Sequence, residues 1–214
     1  MNRYVLEFEK KDLMIYISHL DLLRLFKRAF KRAGININYS KGFNPHPIMG
    51  FAQPLSLGYT GLHEYVEFES QCSYGKEIIE KLNMELPEGI RILNIDTYRG
   101  KKTLAADTKA CKYVIKIPIS KYSSDINGYL EQNEIIALKR MKKTKKYEEV
   151  NIKDKIREFN YEYSDGYLTL RVLLDGGSIS NLSPELIINS LLDFINMDVE
   201  RNKISVLREN ILFN

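Results

Sequence analysis

Cysteine is scarce: Cys72 and Cys111 are the only two in 214 residues, and they lie far apart with no histidine or cysteine beside them at ligand spacing. Neither a zinc site nor an iron–sulfur cluster is expected, and a reducing compartment is. No apolar run approaches the roughly 20 residues of a membrane span. The start, "MNRYVLEFEKK", reads as a strand rather than a signal peptide, so a cytoplasmic location is expected. The spacings G-x-S-x-G, G-x-G-x-x-G, H-E-x-x-H and the Walker loop are all missing, which removes the commonest signatures of hydrolytic, dinucleotide-binding and metalloprotease chemistry. Only three histidines occur; a cluster of His19, His46 and His63 with Glu64 is conceivable, but scattered histidines are more often unrelated, so no metal and no cofactor is expected.

What is present is ordinary globular material, 44% hydrophobic and 28% charged with a net charge of +4. So mild a charge argues for no partner by itself; only local clustering can. Tyr4 to Phe8 alternates as a strand, and Leu13 to Ile17 resumes as a second strand or hairpin arm. A helix follows in "SHLDLLRLFKRAFKRAG", with Ser18 as N-cap, Asp21 three residues on and Gly34 as the stop. "LHEYVEFES", "GKEIIEKLNMEL" and "GIRILNIDTY" then read strand, helix, strand.

After a polar joint at "RGKKTLAADTKA" the pattern restarts with strand "CKYVIKIPI", a short helix around Asp125 to Leu130, and a strand "EIIALKRM". Strands "KIREFNYEYS" and "YLTLRVLLD" flank the Asp165-Gly166 turn, before a helix capped by Ser183 with Pro184 in its first turn and a last strand "KISVLREN". The fold class expected is α+β, as two ferredoxin-like β-α-β-β-α-β halves with antiparallel sheets over residues 1–102 and 110–214. One larger sheet is the competing arrangement.

Two segments carry unusual chemistry. On the helix, Leu22, Phe26, Ala29, Phe30 and Ala33 share one face, while Arg24, Lys27, Arg28, Lys31 and Arg32 cover the other with no acidic residue in that window. Like charges at these spacings cost a few tenths of a kcal/mol each, so the face is either a plain solvated surface or one matched to a polyanion. Next comes "SKGFNPHPIMGFAQPLSLG", which holds three of the six prolines, three glycines and His46. Prolines on both sides of His46 stiffen the backbone, so Lys41, Asn44, His46 and Gln53 would project from a rigid loop, with Phe43 packed beneath it or free to stack on a planar ligand. A crossover loop that merely fixes the chain path is the alternative. A second basic run, Lys139, Arg140, Lys142, Lys143, Lys145 and Lys146, lies at a strand end or in a loop.

The run from Tyr16 to Glu69 resembles the uncharacterised radical-SAM-linked protein family of bacteria, whose members stand alone or are fused to cobalamin-binding radical SAM proteins. The matching pieces are Ser18-His19-Leu20-Asp21, Arg24, Arg28-Ala29, Arg32-Ala33-Gly34 and Gly42-Phe43-Asn44-Pro45-His46-Pro47, followed by Pro54-Leu55, Gly58 and Glu64-Tyr65. Glu67 stands where the family pattern has aspartate. The resemblance implies a cobalamin-binding radical SAM partner and, through neighbouring RNA-processing genes, an association with RNA.

The reading that follows is an accessory module, more readily non-catalytic, that binds RNA or presents it to a radical SAM enzyme. Arg24, Lys27, Arg28, Lys31 and Arg32 would supply attraction, and Lys41, Phe43, Asn44 and His46 selectivity. An RNA-modifying enzyme is the alternative, with Asp21, His46 and Glu64 as its acid/base candidates; two ferredoxin-like halves are superficially similar to pseudouridine synthases, but the Arg-Thr-Asp signature is missing. A protein-interaction module docking on the radical SAM partner is the third.

Overall fold

The computed structural model describes residues 2–119, 126–141 and 144–214. It is a mixed α/β protein with mostly antiparallel pairing, and the chain divides into two compact units, Met1–Lys109 with Leu207–Asn214, and Ala110–Val206. The expected second segment, 110–214, thus gives up its last eight residues to the first unit.

In the first unit, β1 (Asn2–Lys10) leads through a 3-10 turn (Asp12–Tyr16) to α1 (His19–Arg32), then β2 (Met49–Phe51), β3 (Thr60–Ser70), α2 (Glu77–Glu85), β4 (Ile90–Thr97) and the short α3 (Leu104–Asp107). Strand β1 lies between β4 and β3, antiparallel to both, and β2 pairs antiparallel with β3 from Met49↔Phe68 to Phe51↔Val66. Alternation decides what is inside. Tyr4, Leu6 and Phe8 point from β1 onto α1, where Leu22, Phe26, Ala29 and Phe30 are buried. Phe8 and Phe26 meet edge-on at 4.9 Å, and Phe51 joins both. Each such side chain, fully buried, contributes about 1.5–3 kcal/mol by removal from water. Ser18 Oγ accepts the Asp21 N–H at 3.2 Å and donates to Asp21 Oδ2 at 2.7 Å, fixing where α1 begins; Gly34, at φ +69°, lets the chain leave it.

Leu13 to Ile17 is not a strand. Asp12 turns the chain at φ +52°; the Ile15 carbonyl accepts from the Gly58 N–H at 2.8 Å and from the Lys10 ammonium at 3.4 Å, and that of Ile17 from Lys10 at 3.2 Å. Leu13 and Tyr16 are left exposed. The polar joint at 99–110 contains α3, capped by Thr103.

The second unit begins within β5 (Thr108–Pro118) and continues through α4 (Asn127–Glu131), β6 (Ile136–Arg140), β7 (Tyr147–Asn151), β8 (Ile156–Ser164), β9 (Tyr167–Asp175) and α5 (Pro184–Phe194). Its sheet runs β5-β9-β8, antiparallel throughout. Leu168, Leu170, Val172 and Leu174 of β9 and Ile187, Ile188 and Leu191 of α5 are buried. This unit departs from a β-α-β-β-α-β order because, among the described residues, β6 and β7 pair only with each other, as a separate hairpin. One side of β6 lies against α5, with Ala137 buried, while the other side chains of the hairpin are nearly all exposed. The final strand, β10 (Ser205–Phe213), pairs in parallel with β3 at Leu207↔Thr60 and Arg208↔Gly61.

Candidate nucleic-acid interface

All five basic residues of α1 are exposed, but they are not equivalent. Arg24 pairs with Asp21 at 2.9 Å, and Arg32 reaches across to Glu85 of α2 at 2.6 Å and to its carbonyl. Lys27, Arg28 and Lys31 have no ion-pair partner among the described residues. The acid-free window seen in the sequence therefore holds three open cations, because partners for the other two come from one turn earlier and from a different helix.

The proline-rich stretch folds back on itself beside this face. Ile48 N–H donates to Asn38 O, Ser40 N–H to His46 O and His46 N–H to Ser40 Oγ, all within 3.0 Å, with Tyr39 and Pro47 bridged. Its base is anchored to β3 through Asn38 N–H to Glu69 O and Glu69 N–H to Ile48 O. Lys41 to Pro45 form the exposed tip, turned by Gly42 at φ +139°. Phe43 packs on nothing and is fully exposed, which removes the arrangement in which it sits beneath the loop. Gln53 is not at the tip; its carbonyl accepts from Arg208.

Helix and loop share a surface. A cleft of about 320 Å³ is lined by Leu23, Arg24 and Lys27 of α1 and by His46, Pro47 and Met49. On the other side of the loop, a cavity of about 410 Å³ is lined by Ser40, His46, Phe51, Phe68, Glu67 and Ala105 among others. Glu67 is fixed there: Oε2 accepts from Arg3 at 2.5 Å and Oε1 from the Leu104 N–H at 2.9 Å. The Arg3 guanidinium also donates to Gly100 O and Lys102 O and lies over the Tyr98 ring at 4.6 Å. The extra methylene relative to aspartate is what this carboxylate spends in reaching both partners.

The acid/base candidates have other occupations. Glu64 is 2% exposed and forms a two-point ion pair with Arg208, itself 1% exposed, Nε donating to Oε1 at 2.8 Å and Nη2 to Oε2. It is a buried structural carboxylate, not an open one. Asp21 is held below the usual carboxylate range by the Ser18 hydroxyl and then by Arg24. His46 lines the cleft, His63 Nδ1 meets Glu7 at 2.5 Å, and the His19 ring packs edge-on against Phe51 at 5.2 Å. Burial, with Lys10 adding, pushes the His19 imidazole down toward its neutral form. Among the described residues no group of three or more such side chains is placed to hold a metal.

Sequence reasoning passed over Lys10 and Arg208. The Lys10 ammonium is pushed down by burial, an effect that Glu64 opposes and Arg208 adds to. A signal existed: Lys10 continues the inward register of Tyr4, Leu6 and Phe8. The second basic run belongs to the other unit. Lys139 and Arg140 end β6, where Lys139 faces Glu148, Lys145 and Lys146 lie in the turn, and Lys142 and Lys143 are outside the described residues, as is Asp125.

These features define a mixed α/β protein whose first unit presents a basic helix and a rigid aromatic-tipped loop on one surface. The chain belongs to the family described as uncharacterized protein conserved in bacteria (DUF2344), whose model matches residues 3–184. No curated protein matches it. Among solved structures, a chain from the crystal structure of a Cbf5-Nop10-Gar1 complex is similar at a TM-score of 0.55 and 11% identity, over 97% of this chain and 48% of that one. The present chain thus spans about half the length of that neighbour, and the likeness is one of fold. An unknown protein from Galdieria sulphuraria aligns over 99% of both chains at 14% identity, but with a TM-score of 0.28 that carries no argument. Among the described residues no helix is long and apolar enough to cross a membrane.

Proposed function

We propose that this protein is a non-catalytic accessory module that binds single-stranded RNA on the α1 and proline-loop surface. One observation carries the reading: Arg24 and Lys27 share a cleft with His46, while Phe43 is fully exposed at the tip of the same hydrogen-bonded loop. Cations alone would suit any polyanion; a rigid loop with an unsupported aromatic beside them suits unstacked bases. Little entropy is lost when such a loop binds. The sequence resemblance supplies the partner, a cobalamin-binding radical SAM protein to which the RNA would be presented.

The test is binding of the nucleic-acid-free protein to tRNA and rRNA fragments across a salt series, with Lys27→Glu/Arg28→Glu/Lys31→Glu alongside. Micromolar affinity that falls with salt and is lost in the variant is expected. Equal affinity in variant and parent, or no binding at low salt, would overturn the proposal.

Docking on the radical SAM partner has its own observation. Leu13 and Tyr16 of the 3-10 turn, Leu20 in the first turn of α1, and Leu57, whose neighbour Gly58 donates to Ile15 O at 2.8 Å, are all exposed. Exposed apolar groups in such number on adjacent segments mark protein contacts. Tyr16→Glu/Leu20→Glu is expected to weaken association with that partner and spare RNA affinity; unchanged association would remove this role.

A further inference from the structure

We propose that the 410 Å³ cavity beyond the loop is a base pocket, accepting the base of an RNA nucleotide whose phosphate rests on Arg24 and Lys27. The inference rests on the RNA-binding reading and adds to it a defined subsite and a base preference. Its first support is adjacency. His46, Pro47 and Met49 line both the basic cleft and the cavity, so a single thickness of loop separates a site for an anion from a site for a planar group. A nucleotide has those two parts joined by one sugar.

The second support is the chemistry of the walls. The volume lies in the usual range for small-molecule sites, about 300–1,000 Å³. Pro47, Ile48, Met49 and Ala105 give apolar walls. The polar lining residues are Arg3, Ser40, His46, Glu67, Glu69 and Thr103. Glu67 is pinned by Arg3 and the Leu104 N–H, each carboxylate oxygen taking one of these bonds, and a carboxylate has about four acceptor positions. Ser40 Oγ accepts the His46 N–H, which leaves its own proton to donate. A fixed acceptor-only carboxylate favours a base edge with neighbouring N–H donors. Guanine, with its ring N–H beside the exocyclic amine, fits that requirement, and uracil, with one such donor between two acceptors, does not.

The third support is the freedom of the loop's aromatic. Phe43 stands outside the cavity, available to stack on the base next to the one taken in, which is how single-stranded RNA is commonly held.

The experiment uses the full chain with labelled methyl groups at Met49 and Ala105, titrated with GMP, UMP and inorganic phosphate and followed by NMR. Expected are shifts of both methyls with GMP, at least tenfold weaker binding of UMP, and, with phosphate, a still Ala105 methyl, since Met49 also lines the basic cleft. Ala105→Phe, which fills the cavity without touching α1, should weaken GMP at least tenfold; Glu67→Gln should narrow the GMP to UMP ratio. The methyl shifts in the parent protein stand as evidence even if Ala105→Phe folds poorly. A still Ala105 methyl with GMP, while RNA binding remains dependent on the α1 charges, would overturn the pocket and leave the RNA reading intact. Charge-independent or absent RNA binding would overturn the RNA reading itself.

Discussion

Glu64 and Arg208 offer the sharpest test of how the first unit is held together. Both are almost without exposure, and Arg208 also donates to the carbonyl of Gln53 at 2.7 Å, so the pair fastens β10 to β3 and to the segment leaving the proline loop. Removing one partner of a buried pair leaves an uncompensated charge and typically costs about 3–5 kcal/mol. The two single variants should not be equal. Arg208→Met leaves Glu64 with the Lys10 ammonium still nearby as a counter-charge, whereas Glu64→Gln leaves two buried cations, Lys10 and Arg208, which already disfavour each other. Glu64→Gln should therefore be the worse, lowering the melting midpoint by about 10 °C or more at about 2–4 °C per kcal/mol for a chain of this size. The double variant should regain part of the loss, since fewer unpaired charges remain. With no tryptophan in the sequence, far-UV circular dichroism is the natural probe. A Glu64→Gln midpoint within about 3 °C of the parent would refute the buried-pair account and return Glu64 to the acid/base candidates.

Four further outcomes are expected. Phe43→Ala should leave the melting midpoint unchanged, since the ring packs on nothing, while weakening RNA by about 1–3 kcal/mol in anisotropy titrations if it stacks a base. Neutralising Lys27, Arg28 and Lys31 together should reduce the salt slope of RNA binding by about 2, from three phosphate contacts at about 0.7 each on a single strand. Ser18→Ala should cost about 1 kcal/mol in urea unfolding through the lost cap on α1. Asp175, in the second unit, has its carboxyl held low: burial alone would raise it, but the Ser180 and Arg157 hydrogen bonds win. Its contribution is present in full above the ordinary value of 3.8 and is lost as pH falls through the lower folded value, so acid unfolding of Asp175→Asn should lack that component.

How much of the site the sequence could announce depended on the range of the interactions. The rigid loop was readable from Pro45, Pro47 and Gly42, because prolines and a positive φ act on their own backbone. The status of the five cations was not: Arg32 is satisfied by Glu85, 53 residues away, and nothing local distinguishes it from Lys31. Glu64 looked like an available carboxylate because its partner, Arg208, is 144 residues distant. The 3-10 turn at Asp12–Tyr16 differs from the strand its apolar run suggests because Asp12 turns the chain at φ +52° and the Lys11 and Met14 carbonyls accept from the Met14 and Ile17 N–H groups within the turn.

By itself, then, the order of residues determined the helix α1, its cap, its two faces and the stiffness of the loop, all of which depend on neighbours within a turn or two. Tertiary structure alone decided which cations stay open, which carboxylate is entombed, that β6 and β7 pair apart from the main sheet, and that the loop divides a basic cleft from an apolar cavity. Those outcomes depend on which distant side chains and strands arrive at the same place, and local propensity carries no record of that.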